Sequence, residues 1–371
     1  MYLFCVFIML FVGAILQKKG YYVSNVSEIN MTYNTRIYLN FSIAVMFVMI
    51  AFRDMSVGID TEMYYKIYRG INEGYLNAVQ LNSIHEVLTS GKAELGYALL
   101  QFFFGQINAS FRVFLIFTTL IMSAGYYQLF KRSENIIVSI LLFIGFGYLS
   151  YSMCYIRQMF AVAISIYALK YIEERRFIRF LLLVLLAYTF HNTAIIILPF
   201  YFLYNMKFTS RFKLGSVIAI LIANVGSTAL FMFIRRFARL NYPFDPDAGG
   251  GILNLILIGT AVLALLYGHL MIERNIHNKL LVYAMIACAV VYPISSGAEA
   301  TMRLMYFYNI LIILFVPALV QTLKEAEMAI YGSDYRRIAL FIQLGYIAAA
   351  IAFFVDVIMK ANQFYPYKFM F

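Results

Sequence analysis

Residues 252–272 read ILNLILIGTAVLALLYGHLMI and are followed at once by Glu273 and Arg274. The stretch carries no Asp, Glu, Lys or Arg. A helix of its length reaches about 31 Å, and the hydrocarbon core of a bilayer is about 30 Å thick. The same pattern recurs through the chain. Thirteen apolar segments lie near 2–16, 37–52, 97–107, 112–130, 136–150, 157–172, 177–190, 192–205, 214–234, 252–272, 279–294, 304–323 and 338–356, separated by short charged clusters. Over 371 residues, 63% are apolar and 13% charged. An ordinary soluble domain has about half and a quarter. One folded core of this size cannot hide the excess. A soluble enzyme, a disordered chain and a disulfide scaffold are excluded. Backbone groups in hydrocarbon must be satisfied internally, and barrel-type alternation is absent. The pattern therefore predicts an all-α polytopic integral membrane protein, one domain over 1–371, with about 11–13 transmembrane or re-entrant helices. The longest polar stretch, 53–96, is read as an extracytoplasmic loop of that domain, and loops of this length usually have a function.

The net charge of +11 points the same way. The basic residues flank apolar segments, so they suit a lipid bilayer surface or an anionic lipid-linked substrate and not nucleic acid. Cys5, Cys154 and Cys288 lie in or beside apolar blocks. Neither they nor the histidines have metal-ligand spacing, and they read as small buried apolar residues. The block 2–16 has no basic residue before it and no small-residue cleavage site after it, and reads as a retained first span.

Basic residues in short loops set the orientation. Lys18 and Lys19, Lys131 and Arg132, Arg175 with Arg176 and Arg179, and Lys207 with Arg211 and Lys213 form clusters. Arg274 with Lys279, Lys324, and Arg336 with Arg337 continue the series. Placed in the cytoplasm, they leave 53–96, 150–157, the turn at 191, 235–251 and 295–303 on the other side. Two spans between Gly96 and Lys131 would break the series. The segment 97–107 is therefore expected not to cross, since eleven helical residues reach only about 16 Å; the alternative is that one basic cluster breaks the rule. The halves of 177–205 reach about 21 Å each. They are tilted in a thin bilayer or form a hairpin, with His191 at the tip and Pro199 accommodated by local rearrangement.

The charges at the outer helix ends carry the functional signal. Arg53 and Asp54 close the second segment, and Asp60, Thr61 and Tyr64 follow. Arg157 opens the 157–172 segment, His191 follows Phe190, and Arg235, Arg236 and Arg239 end the 214–234 segment. Glu299 and Arg303 bracket the start of 304–323. Each has a plain alternative. An arginine can snorkel, Asp60-Thr61 can cap a loop helix, and His191 can be structural. Together they weigh more. Ionisable groups at membrane depth are costly, and the positive-inside rule disfavours arginine on this face. Arginine holds phosphate bidentately and stays charged. The simplest ligand is a phosphate or diphosphate at the outer interface, such as a lipid diphosphate with its tail in the bilayer.

Four motifs then stand in order over about residues 35–320. They are Phe52-Arg53-Asp54 with Gly58-Ile59-Asp60-Thr61 and Tyr64; Ile156-Arg157-Gln158-Met159-Phe160-Ala161; Ala187-Tyr188-Thr189-Phe190-His191-Asn192-Thr193-Ala194; and Arg303-Leu304-Met305-Tyr306. The set resembles the EpsG/Wzy family of bacterial polysaccharide polymerases. The resemblance implies a glycosyltransferase of the cytoplasmic (inner) membrane with its active site facing the periplasm or exterior. It implies transfer of a growing glycan from undecaprenyl diphosphate to a hydroxyl of a new lipid-linked repeat unit. It implies no cofactor, no nucleotide sugar and no metal, and as partners a flippase and a regulator of chain length.

Residue chemistry fits that reaction. The leaving diphosphate gains charge as the glycosidic bond breaks, and preorganised arginines stabilise it most there. Arg157 and Arg303 are assigned to the diphosphate. Arg53 and one of Arg235 or Arg236 assist or hold the second lipid. The acceptor hydroxyl needs a base, and histidine titrates in the right range; His191 is the candidate, with Asp60 its rival. Tyr64, Thr61 and Glu299 are assigned to the glycan or acceptor. A lipid-linked oligosaccharide flippase and an O-antigen ligase remain alternatives. The first lacks support from an internal repeat, and the second usually carries its long loop later in the chain.

Overall fold

The computed structural model describes residues 2–16, 32–58, 60–73, 86, 94–237, 244–245, 251–329, 334–359 and 367–369. Lys18, Lys19 and Arg239 lie outside these residues, as do Ile59 and most of 74–93. The described residues are helical and form no named strand; the single exception to helix and turn is one isolated bridge between Arg53 and Phe369. Six helical runs are long and apolar enough to cross a membrane: Tyr33–Ala51, Phe111–Phe130, Gly251–Arg274, Asn278–Ser295, Arg303–Glu327 and Tyr335–Asp356. Two bent pairs raise the count to as many as eight. The molecule is an all-α, multi-pass membrane protein.

The bends fall inside segments whose apolar runs read as continuous. Ile136–Gly145 and Tyr148–Cys154 meet at 51° and Ser210–Val225 and Ser227–Arg236 at 80°. Gly147 supplies a left-handed φ of 80° at the first break. Glycine adopts that conformation without the steric cost other residues meet. Hydropathy cannot register such a break, because the residues on either side stay apolar.

The chain divides into two compact units, residues 1–195 with 350–371, and residues 196–349. The helices of the first are α1 (Tyr2–Leu16), α2 (Tyr33–Ala51), α3 (Thr61–Glu73), α4 (Leu95–Gln106), α5 (Phe111–Phe130), α6 (Ile136–Gly145), α7 (Tyr148–Cys154), α8 (Ile156–Glu173) and α9 (Phe177–Phe190). Helix α8 is its centre, packed against α5 and α9. Helix α2 packs on α5 and α1 on α2. Phe4, Phe7, Phe11 and Ile15 line the outer stripe of α1, while Cys5 and Met9 face inward. Side-chain oxygens of Thr32, Ser110 and Asn135 cap α2, α5 and α6 by accepting from the backbone N–H three residues on, where a helix leaves donors unpaired.

Helix α4 has 12 residues, or about 18 Å. It packs on α3, the amphipathic helix of the 53–96 stretch. Asn108 then turns the chain with φ 53° and α5 begins. The short element expected over 97–107 is therefore a companion of the loop helix.

The second unit holds α10 (Leu198–Asn205), α11 (Ser210–Val225), α12 (Ser227–Phe237), α13 (Gly251–Arg274), α14 (Asn278–Ser295), three short turns over Glu299–Asn309, and α15 (Ile312–Ala329). Helix α16 (Tyr335–Phe353) closes this unit and runs into the first, ending in a π turn at Phe354–Met359. Helix α13 lies along α14. Its small residues Ala261, Ala264 and Gly268 are buried while Ile252, Leu255 and Leu266 point outward, as expected where small residues let helices approach in lipid. The returning half of 177–205 is a 3-10 stretch, Asn192–Ile197, and then α10. Pro199 lies in the first turn of α10, where no backbone donor is required. No rearrangement is needed to accommodate it.

Loops that the charge rule assigns to one side meet within each unit. Arg132 pairs with Glu173 at 3.2 Å in the first, and Arg274 forms a two-point pair with Glu325 in the second, Nη2 to Oε1 at 3.0 Å. The loop 295–303 meets the loop after α12, where Asp245 donates its N–H to the Gly297 carbonyl at 2.9 Å.

Candidate active site

The site begins where α2 ends. Arg53 is 1% exposed, and its Nη1 donates to the Ile50 carbonyl. A strap formed by residues 367–369 crosses this corner. Arg53 bridges to Phe369, Asp54 N–H donates to the Lys368 carbonyl at 2.9 Å, and the Tyr367 hydroxyl donates to the Met49 carbonyl at 2.6 Å. The Asp54 carboxylate accepts from Ser56 N–H at 2.9 Å and Ser56 Oγ at 2.7 Å. Those two bonds, helped by the charge of Lys368, hold its pKa below the ordinary range.

Gly58 then takes φ 89°, and a Cβ there would stand 2.7 Å from the Met153 carbonyl oxygen. Thr61 is fully buried and spends its hydroxyl on the Val57 carbonyl at 2.8 Å and the Met153 carbonyl at 3.3 Å. The loop is thus fastened to the end of α7. Asp60, half-buried, precedes α3, and its carbonyl accepts from Tyr64 N–H at 2.9 Å.

Arg157 lies in the first turn of α8, beside that fastened loop. Its Nη1 pairs with Glu94 Oε2, with side chains 22% and 19% exposed. Its guanidinium hydrogen-bonds Tyr64 and stands 5.5 Å from the Tyr64 ring centre and 6.0 Å from that of Tyr97. Burial, only partly offset by Arg157, pushes the Tyr64 hydroxyl up to about 12. Tyr64 therefore keeps its proton at neutral pH. Beneath it, Tyr68, Phe111, Phe114, Leu115 and Ile156 complete one hydrophobic cluster with Tyr64 and Tyr97. Among the described residues, the buried Arg157 Nε and Tyr97 hydroxyl have no hydrogen-bond partner.

His191 ends α9, with its N–H on the Ala187 carbonyl at 3.0 Å. Phe190 packs on Phe160 of α8 with ring centres 4.6 Å apart, and Gly96 of α4 presses against Thr189. The end of α9 and the starts of α4 and α8 therefore come to one end of the unit. His191 Nδ1 faces Thr193 Oγ1 at 2.6 Å and accepts the Thr193 N–H at 3.4 Å.

Arg53, Asp60, Thr61, Tyr64, Arg157 and His191 belong to the first unit, and contacts join Tyr64 to Arg157 directly. Arg235, Arg236, Glu299 and Arg303 belong to the second. There, Arg235 is half-buried and Arg236 exposed at the end of α12, Glu299 opens a helical turn, and Arg303 is half-buried in the 3-10 turn that follows. Phe231 of α12 packs on Gly297, so the arginine pair and the 295–303 loop are neighbours. Among the described residues no three His, Cys, Asp or Glu side chains converge as metal ligands.

Sequence reasoning missed Glu94, Tyr97 and the strap. Glu94 shows no motif. The strap has a faint signal, since Tyr365, Tyr367, Phe369 and Phe371 alternate with other residues in the period of an extended strand. A family model described as the EpsG family matches residues 36–369. No curated protein and no solved structure matches the chain.

Proposed function

The chain belongs to the EpsG family of Wzy-type polysaccharide polymerases, and from that premise we propose that it transfers a growing glycan from a lipid diphosphate carrier to a hydroxyl of a new lipid-linked repeat unit. The family gives a polymerase-type role in polysaccharide biosynthesis. The carrier, undecaprenyl diphosphate, the inner membrane and the extracytoplasmic face are parts of the proposal. So are a flippase that delivers the repeat units and a partner that sets chain length.

The observation that carries the reading is Arg157. It is a half-buried cation set against two adjoining tyrosine rings at a helix end, with one guanidinium nitrogen unused. In the proposed step the acceptor oxygen attacks the anomeric carbon. The bond from that carbon to the diphosphate oxygen breaks, and the diphosphate leaves with both electrons. Arg157 meets the charge that develops on the leaving group, and Arg303 keeps its assignment to a diphosphate from its place in the sequence. Arg53 assists in holding a lipid head, and Arg235 or Arg236 is a separate candidate for that role. The acceptor proton passes to His191 or Asp60. Tyr64 contacts the glycan, Glu299 stays a candidate for it from its place in the sequence, and Thr61 fastens the loop next to Asp60 through the Val57 and Met153 carbonyls. His191 faces Thr193 through Nδ1, so to act as base at that nitrogen it must exchange this bond.

Polymer length in a strain carrying Arg157→Ala or Arg157→Lys at normal protein level tests the reading. Both variants are expected to shorten the polymer and to accumulate single repeat units on the carrier. Lysine keeps the charge but loses the fork, and two-point bonding to an anion is worth about 1.5–3 kcal/mol per bond. Full-length polymer in both strains would refute the role of Arg157. Build-up of unflipped units inside the cell would indicate a flippase, and full-length polymer that never reaches its final acceptor would indicate a ligase.

A further inference from the structure

We propose that Glu94 is the positioning residue of Arg157, holding one corner of the guanidinium so that its Nε edge is presented to the anionic head of the lipid donor. This rests on the reading of Arg157 as a diphosphate ligand.

Glu94 occupies the residue before α4, where a side chain commonly caps the helix, yet it makes no cap bond. Its carboxylate instead reaches Nη1 of Arg157, a residue 63 positions away on α8. The contact is confined to one nitrogen. Tyr64 and Tyr97, whose own ring centres are 6.0 Å apart, both lie against the guanidinium, and Tyr64 takes another bond. These restraints fix the plane while Nε stays buried and unpaired among the described residues, as does the Tyr97 hydroxyl. An unmet buried donor is costly, and an anion bound along the Nε edge removes that cost. Arginine grips phosphate through two parallel N–H groups, and an arginine free to rotate must be ordered at each binding event. Glu94 does that ordering in advance. Gly96, two residues on, presses directly on Thr189 of α9, so the backbone that carries Glu94 is itself anchored.

The test uses the purified full-length chain in lipid nanodiscs, titrated with inorganic pyrophosphate and, separately, with a short-chain prenyl diphosphate. Glu94→Ala is expected to weaken both ligands about tenfold. Glu94→Gln, which keeps an acceptor oxygen at the same reach without the charge, is expected to bind within about threefold of the parent or more tightly. A structural role alone would lower the melting temperature of both variants and leave affinity unmoved. Glu94→Ala binding as tightly as the parent, or tighter, overturns the proposal. In an Arg157→Gln background, Glu94→Ala is expected to cost nothing further, because its effect passes through the arginine; a full additional loss there also overturns it. Arg157→Gln alone separates the two readings. If it leaves affinity unchanged, the diphosphate reading of Arg157 fails. If it abolishes binding while Glu94→Ala does not weaken it, only the role of Glu94 fails. Prenyl diphosphate binding tighter than pyrophosphate supports a lipid source of the anion, and equal affinity removes the lipid from the proposal.

Discussion

At the scale of single residues, the two candidate bases sit in different chemical settings. His191 is tied to Thr193 through Nδ1. Asp60 stands at the start of α3 beside a loop fixed by two buried hydroxyl contacts. The group that takes the acceptor proton shapes the acid limb of the pH profile. His191→Ala and Asp60→Ala are therefore expected to differ. The variant lacking the base loses that limb and most of its rate, whereas the other keeps the limb at reduced rate. Rate against pH in membranes supplied with lipid-linked repeat units measures it. Thr193→Val gives a further reading, since releasing Nδ1 changes a histidine base and leaves an aspartate base unaffected. An acid limb retained by both alanine variants would assign the proton to a third group.

At the scale of elements, Gly58 is the hinge of the loop between α2 and α3. Its φ of 89° and the 2.7 Å approach to the Met153 carbonyl leave no room for a methyl group. Gly58→Ala is expected to cost about 1–3 kcal/mol of local strain and to reduce polymerisation at least tenfold while the chain still inserts. Gly259→Ala is the control, since nothing lies within 4 Å of a Cβ there; it is expected to be neutral or mildly stabilising. Equal behaviour of the two would remove Gly58 from the site. Helix identity and rough extent were legible in the chain because lipid demands long apolar runs. The bends at Gly147 and Gly226 were not, since a change of direction leaves composition untouched. The arginines and His191 were legible because charge at an apolar boundary is conspicuous. Glu94 was not, because its meaning comes from a partner on another helix, and Thr61 showed only its cap-like position and not its buried hydroxyl contacts.

At the scale of the whole molecule, each unit keeps a paired cationic cluster at one end of its helices. Arg132–Glu173 lies some 16 residues along α8 from Arg157, or about 24 Å. That separation predicts opposite sides of the bilayer for the two groups. Single cysteines introduced at positions 55, 131, 191 and 297 of intact cells, probed with a membrane-impermeant thiol reagent, check it. Positions 55, 191 and 297 are expected to react from outside, and 131 only after the membrane is opened. The native Cys5, Cys154 and Cys288 are all buried and give little background. Outside reaction at 131 would invert the assignment.

The strap over Arg53 has a consequence for biogenesis. The Tyr367 hydroxyl and the Met49 carbonyl are 318 residues apart in the sequence. While the chain is being threaded into the bilayer, the Arg53 corner must wait open until that distance has been translated. At about 5–20 residues per second, the wait is tens of seconds. A nascent chain stalled after α16 has α1 to α16 and lacks the piece that closes over Arg53. Closure of this corner thus waits on the translation of residues 367–369, long after α2 itself has been made.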